Sequence, residues 1–250
     1  MVATLTRLIP FLLLLLLQEA PAPLPSKGKG GASGTYENEK LTVGEQAREY
    51  RLVVPVGLDP AKPVPLVFAF HGMGDNKDFI RRYSGFEDLA LKEGFIAVFP
   101  AGLEKKWELR PGDDNRDLKF FDALFEHVTS KYNVDLRRVY LTGMSMGGYF
   151  SNLLAAKRSE KIAAIAPHSG GMGALAVQGI NAKKKYAAMI VHGDADRIVK
   201  IEEGRTSRDV YTKEGHPIEY VEIKGLGHLW ARKEKITDRM WKFFLDHPMK

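Results

Sequence analysis

Apolar residues fall along this chain in two rhythms. Short runs that are apolar at nearly every position alternate with longer stretches in which apolar residues recur every three or four. "VPLVFAFHG" (64–72) is of the first kind, as expected of a strand buried on both faces. "LKFFDALFEHVTSKY" (118–132) is of the second kind, and places Phe120, Phe121, Leu124 and Val128 on one helical face. On this basis strands are predicted at 48–56, 64–72, 95–102, 137–143, 161–170, 186–196 and 218–225. Helices are predicted at 86–94, 118–132, 147–159, 202–215 and 233–247. Such alternation implies βαβ crossovers and a mainly parallel sheet with helices on both faces, an α/β protein. No repeat or internal break interrupts it, so 37–250 reads as one domain, large enough to need no disulfide or metal staple.

The rhythm is different before that. In "TRLIPFLLLLLLQEAPA" a single basic residue, Arg7, precedes an apolar core from Leu8 to Leu17, and Ala20-Pro21-Ala22 follows. The core is shorter than the roughly 20 residues needed to cross a bilayer. Residues 1–22 therefore read as a signal peptide. That predicts a secreted or periplasmic protein with no stable membrane association after cleavage. Residues 23–36 are rich in Pro, Gly, Ser and Ala and read as a flexible linker.

Composition narrows the chemistry. The 250 residues are 44% hydrophobic and 27% charged with a net charge of +6, and loss of residues 1–22 would leave that charge unchanged. The basic residues are scattered. Their densest run, Lys183-Lys184-Lys185, reads as a solvated turn, and no nucleic-acid-binding motif accompanies it, so nucleic acid is not an expected partner. There is no cysteine, which excludes disulfides, thiolate metal sites and a cysteine nucleophile. No H-E-x-x-H occurs, and neither a metal nor a cofactor is implied.

Four predicted strands end in polar or glycine-containing corners, at His71-Gly72, Ser145, His168-Ser169-Gly170 and His192-Gly193-Asp194. Ligands of open parallel sheets bind beyond the carboxyl ends of the strands, so these corners should converge. Gly143-Met144-Ser145-Met146-Gly147 matches G-x-S-x-G, between a predicted strand and a predicted helix. The tight turn lifts the Ser145 hydroxyl clear of the backbone and leaves no room for side chains two residues either side. Serine needs a base, and chains with this corner carry an acid and then a histidine downstream. His228, in "IKGLGHLW" just after the last predicted strand, is the candidate base. His192 reads as structural, His216 belongs to the opposite edge, and His247 lies at a helix end. "VHGDADRIV" offers Asp196 as the acid that orients the imidazole, with Asp194 as the alternative. The oxyanion of a tetrahedral intermediate needs two donors. The backbone N–H groups of Met146 and of Met73, in "FAFHGMGDN", are the candidates. His71 is expected to brace that loop.

These stretches, with "FPAG", "APHSGGM", "VHGDADRIV" and "GLGH", resemble the α/β-hydrolase fold. More narrowly, they resemble the polyhydroxybutyrate-depolymerase and feruloyl-esterase-like group of secreted serine esterases, over roughly residues 48–246. The resemblance implies hydrolysis of carboxylic esters, of polyhydroxyalkanoate, feruloyl or acetyl type, through an acyl-enzyme on Ser145, Asp196 and His228. The partner would be an ester substrate, such as an oligomeric polyester or a plant cell-wall ester. It also implies a substrate-side role for Asp117, in a D-x-x-F element near the entrance, and adds His71 and Trp107 as substrate-binding candidates, Trp107 either stacking on a substrate ring or covering the core. The chain departs from many members in lacking the cysteines around the site. Two rival functions use the same fold: a peptidase with the same triad, and a non-catalytic binding protein.

Overall fold

The computed structural model describes residues 21–250, and residues 1–20 of the expected signal peptide lie outside the described residues. The chain runs β1 (Gly34–Val43), β2 (Gln46–Val54), β3 (Val64–Phe70), α1 (Lys77–Ser84), α2 (Phe86–Glu93), β4 (Ile96–Pro100), α3 (Arg116–Lys131) and β5 (Val134–Met144). It continues with α4 (Met146–Lys157), β6 (Ala164–His168), α5 (Leu175–Gln178), β7 (Ala187–Gly193), α6 (Ile201–Lys213), β8 (Ile218–Ile223) and α7 (Ile236–Asp246). The strands form one sheet in the order β1-β2-β4-β3-β5-β6-β7-β8. β1 and β2 are antiparallel to their neighbours and the rest are parallel.

Each face of the sheet is covered. On one, Phe120, Phe121 and Leu124 of α3, Phe150 and Leu154 of α4 and Tyr211 of α6 pack on Leu66, Phe68 and Phe70. On the other, Phe86 and Leu89 of α2 and Met240, Trp241 and Phe244 of α7 pack on Val67, Ala69 and Tyr140. Burying one such aromatic side chain contributes about 1.5–3 kcal/mol. β3, β4 and β7 are therefore apolar at almost every position, because both of their faces are inside.

Every predicted strand and helix is present, with ends shifted by a few residues. Three elements were not predicted, β1, α1 and the four-residue α5. β1 has no buried position, since it is the outermost strand and meets solvent, so its pattern is mostly polar. α1 is short, and its start is set by Asn76, whose side chain accepts from the N–H groups of Asp78 and Phe79 at 3.0 Å each.

The linker reading of 23–36 is corrected. Leu24 and Ser26 pair with the beginning of β5: Leu136 N donates to Leu24 O and Ser26 N to Val134 O, both at 2.8 Å. Leu24 N donates to Asp135 Oδ1 at 2.9 Å and Ser26 Oγ to Tyr132 O at 2.7 Å. From Gly34 the chain is already strand β1. The composition signalled a coil, but the first residues of β5 offer backbone partners that hold it.

Candidate active site

At the carboxyl end of β5 the chain turns into α4 through Ser145, which adopts φ 56°, ψ −120°. A non-glycine residue in that region is strained, and such strain collects at functional corners. The flanking glycines are required sterically. A Cβ on Gly143 would lie 2.4 Å from Gly147 O, and one on Gly147 would lie 2.1 Å from Phe70 O. The corner is held from below, with Ser145 N donating to His168 O at 2.9 Å.

The loops after β7 and β8 meet beside it. Asp194 Oδ1 accepts from Gly225 N at 2.6 Å, and Ala195 N donates to Leu226 O at 3.0 Å. This zipper brings His228 to Asp196, and His228 Nδ1 donates to Asp196 Oδ2 at 2.7 Å. The other oxygen, Oδ1, accepts from Ile198 N and Val199 N, each at 2.9 Å. Burial alone would raise the Asp196 carboxyl, but the His228 hydrogen bond and the two backbone N–H groups outweigh it and hold the pKa below the ordinary value. Asp194 acts as a turn-forming side chain. His192 is buried, and its Nε2 donates to Val199 O at 2.8 Å. His216 is buried at the other end of the sheet against Tyr186 and Tyr211.

Of the three expected reactive residues, the structure brings Asp196 and His228 into contact. It places Ser145 at the neighbouring corner, where Oγ makes no hydrogen bond to His228 among the described residues. In free enzymes catalytic hydrogen bonds are often long and tighten when substrate binds.

The expected oxyanion donors lie at the turn after β3 and at the first residue of α4. Neither Met73 N nor Met146 N donates a hydrogen bond among the described residues. The rest of the 71–75 turn is clamped to the loop after β4. Gly74 N donates to Lys105 O at 2.9 Å. Gly102 N donates to His71 Nε2 at 2.9 Å, His71 Nδ1 donates to Gly72 O at 2.7 Å, and Trp107 Nε1 donates to His71 O at 2.8 Å.

Those bonds correct three expectations. His71 is fully buried, with both ring nitrogens used inside the protein; burial also lowers its pKa, which keeps Nε2 free to accept. It braces the loop and has no face for a substrate. Trp107 is 2% exposed, stacked on Phe150 at 4.9 Å and edge-on to Phe70 at 5.3 Å, so it belongs to the core. Asp117 is buried, accepting from Arg48 Nη2 at 2.6 Å and from Glu108 N at 2.6 Å. It anchors the loop between β4 and α3 and does not reach the site. Aromatic or acidic character near a motif could not distinguish a lining residue from a buried strut.

One residue was noted only as a polar corner and proves central. His168, at the end of β6, is fully buried and stacked on Trp230 at 4.9 Å. Its carbonyl holds Ser145, its Nε2 accepts from Ala231 N at 3.2 Å, and its Nδ1 faces Ser169 Oγ at 3.1 Å. His168 thus ties the Ser145 corner to the loop that carries His228. Burial, reinforced by His192 and His228, pushes its pKa down to about 3, so it is neutral at working pH.

Comparison with known proteins agrees with this architecture. A family model described as "Putative esterase" matches residues 43–235. Feruloyl esterase D of Neurospora crassa is 29% identical over 223 residues, covering 83% of this chain and 75% of that protein. The bifunctional acetylxylan esterase/xylanase XynS20E of Neocallimastix patriciarum is 33% identical over 125 residues. That stretch is 49% of this chain and 18% of the longer protein. A solved thermostable esterase superposes with a TM-score of 0.70 at 20% identity, covering 84% of this chain and 62% of the other, and shares the α/β-hydrolase fold. Among the described residues no helix is long and apolar enough to cross a membrane.

Proposed function

The chain belongs to the esterase family and is a carboxylic ester hydrolase, and we propose that it works through an acyl-enzyme on Ser145, with His228 as base and Asp196 as its orienting acid. The observation that carries this reading is the 2.7 Å contact of His228 Nδ1 with Asp196 Oδ2, beside a serine strained at a strand-to-helix corner. With Nδ1 engaged, Nε2 is the nitrogen left to act as base. As Ser145 Oγ attacks the ester carbonyl, His228 Nε2 takes its proton and Asp196 balances the imidazolium. The carbonyl oxygen becomes an oxyanion received by Met73 N–H and Met146 N–H, aided by the positive end of α4. The bond to the alcohol then breaks and His228 returns the proton to the departing oxygen. Water repeats the sequence on the acyl-enzyme and releases the acid.

The base must be neutral to take the proton from Ser145. Asp196 is held below the ordinary carboxylate range, so it stays ionised and orients the imidazole. The names of the relatives favour feruloyl and acetyl esters of plant cell walls over aliphatic polyester. The signal-like N-terminus supports export, which N-terminal sequencing of protein recovered outside the cell would test. The functional test is a panel of p-nitrophenyl acetate, methyl ferulate, acetylated xylan and hydroxybutyrate oligomers, run with the wild type and Ser145→Ala. Hydrolysis that survives Ser145→Ala overturns the mechanism. A preference for the hydroxybutyrate oligomers overturns the substrate class alone.

A further inference from the structure

Asp75 follows the oxyanion turn and has no part in the chemistry above. Its N–H donates to Gly72 O at 3.1 Å and closes the turn. The position a Gly72 side chain would occupy is 3.5 Å from Asp75 Oδ2 and 3.5 Å from Ser145 Cβ. Asp75 Oδ2 and Ser145 Cβ therefore flank one spot, separated by no more than the sum of those two distances.

The carboxylate is half-buried, yet no hydrogen bond or ion pair reaches it among the described residues. Elsewhere the fold satisfies its buried acids. Asp117 accepts from Arg48 and Glu108 N, Asp135 from Leu24 N and Arg137 N, and Asp196 from His228, Ile198 N and Val199 N. Burial raises the Asp75 pKa, and the charges of Lys105 and His228 offset this in part. A partly buried carboxylate with no protein partner, beside a reactive group, is a candidate for function rather than stability.

An ester is neutral at its reacting carbon, but its hydrolysis liberates an acid. Water's hydroxyl goes to the acyl carbon, its proton passes through His228 to Ser145 Oγ, and the freed acid ionises to solvent. Apart from the transient oxyanion, which Met73 N–H and Met146 N–H receive, a negative charge thus appears beside Ser145 only in the product, or in a substrate that carries its own. Fixed charges in a partly desolvated site act more strongly than in water. We propose that Asp75 is a specificity-determining residue that favours uncharged esters over anionic ones and helps expel the carboxylate product from beside Ser145. The inference rests on the reading of Ser145 as nucleophile.

The test compares p-nitrophenyl butyrate with the monoanionic p-nitrophenyl hemisuccinate, a pair of similar length, on the wild type, Asp75→Asn and Asp75→Glu, with butyrate as product inhibitor. At low salt, Asp75→Asn should raise the anionic-to-neutral ratio of kcat/KM about tenfold and tighten butyrate inhibition by a similar factor. Asp75→Glu should keep the wild-type ratio. In the wild type alone the ratio should rise with added salt, as screening weakens the repulsion, which keeps the test open even if Asp75→Asn folds poorly. A folded Asp75→Asn whose ratio and inhibition stay within twofold of wild type, or a wild-type ratio indifferent to salt, overturns the proposal. Ser145→Ala separates the two levels. If it remains active, the nucleophile assignment fails; if it is inactive while Asp75→Asn changes nothing, only the role of Asp75 fails.

Discussion

On the proposed oxyanion side of the site, the turn at 71–75 is stitched to the interior by His71, Trp107 and, through the 101–117 loop, by the buried pair Arg48–Asp117. On the proposed acid–base side, the loops at 194–199 and 224–229 run mostly along the surface. Ile198 and Leu229 are 74% and 66% exposed, and one carboxylate, Asp196, joins the two loops at the reactive end. Donors that stabilise a developing charge act best when they are already in place, so a rigid frame suits them. A base must meet a serine and then a departing oxygen, and a partly exposed side chain whose ring is fixed by one carboxylate can make that small movement even though its loop is tied at Gly225, Leu226 and Ala231.

Four changes would sharpen or break this contrast. The largest effect is expected on the loose side. His228→Ala should lower kcat by about 10⁴-fold or more, while thermal unfolding barely moves because the side chain is partly exposed. A large fall in the melting temperature would show that His228 carries structure. On the rigid side, Asp117→Ala should do the reverse. Leaving the Arg48 guanidinium buried without its partner costs about 3–5 kcal/mol, read as a lower denaturation midpoint. Unchanged stability would refute the strut.

Between the two sides stands His168, whose folded-state pKa of about 3 lies below the roughly 6.5 of an unfolded histidine. Below the unfolded value the unfolded chain takes up a proton that the folded chain refuses. Stability from this residue is complete above that pH and falls by at most about 1.4 kcal/mol per pH unit toward pH 3. Denaturation measured across this range should show the slope, and His168→Gln should flatten it. An equal slope in the variant would assign the acid sensitivity elsewhere. The smallest effect is expected from Trp107→Phe, which keeps a ring but removes the donor to His71 O. A hydrogen bond worth about 1 kcal/mol predicts a several-fold loss in kcat at constant KM, as the donor frame loosens. A change in KM alone would point to substrate contact and restore the discarded role of Trp107.

The buried strands were legible because a strand covered on both faces must be apolar throughout, as in "VPLVFAF". β1 was not legible, since an edge strand facing solvent shares the composition of a loop, and its place depends on pairing with β2. The Pro- and Gly-rich stretch at 23–33 failed for a related reason. What orders it is the beginning of β5, a partner more than a hundred residues away.

By itself, then, the sequence determined the alternation of strands and helices and the corner at Ser145, because periodicity and the steric demand for Gly143 and Gly147 are local. The order of the residues also singled out Asp196 and His228. Only the tertiary structure decided which polar and aromatic side chains look into the site and which are sealed beneath it. His71, Trp107 and Asp117 went inside, His168 became the link between loops, and Asp75 was left without a protein partner near Ser145 among the described residues. Those outcomes depend on burial and on partners distant in sequence, and neither is carried by any short stretch of the chain.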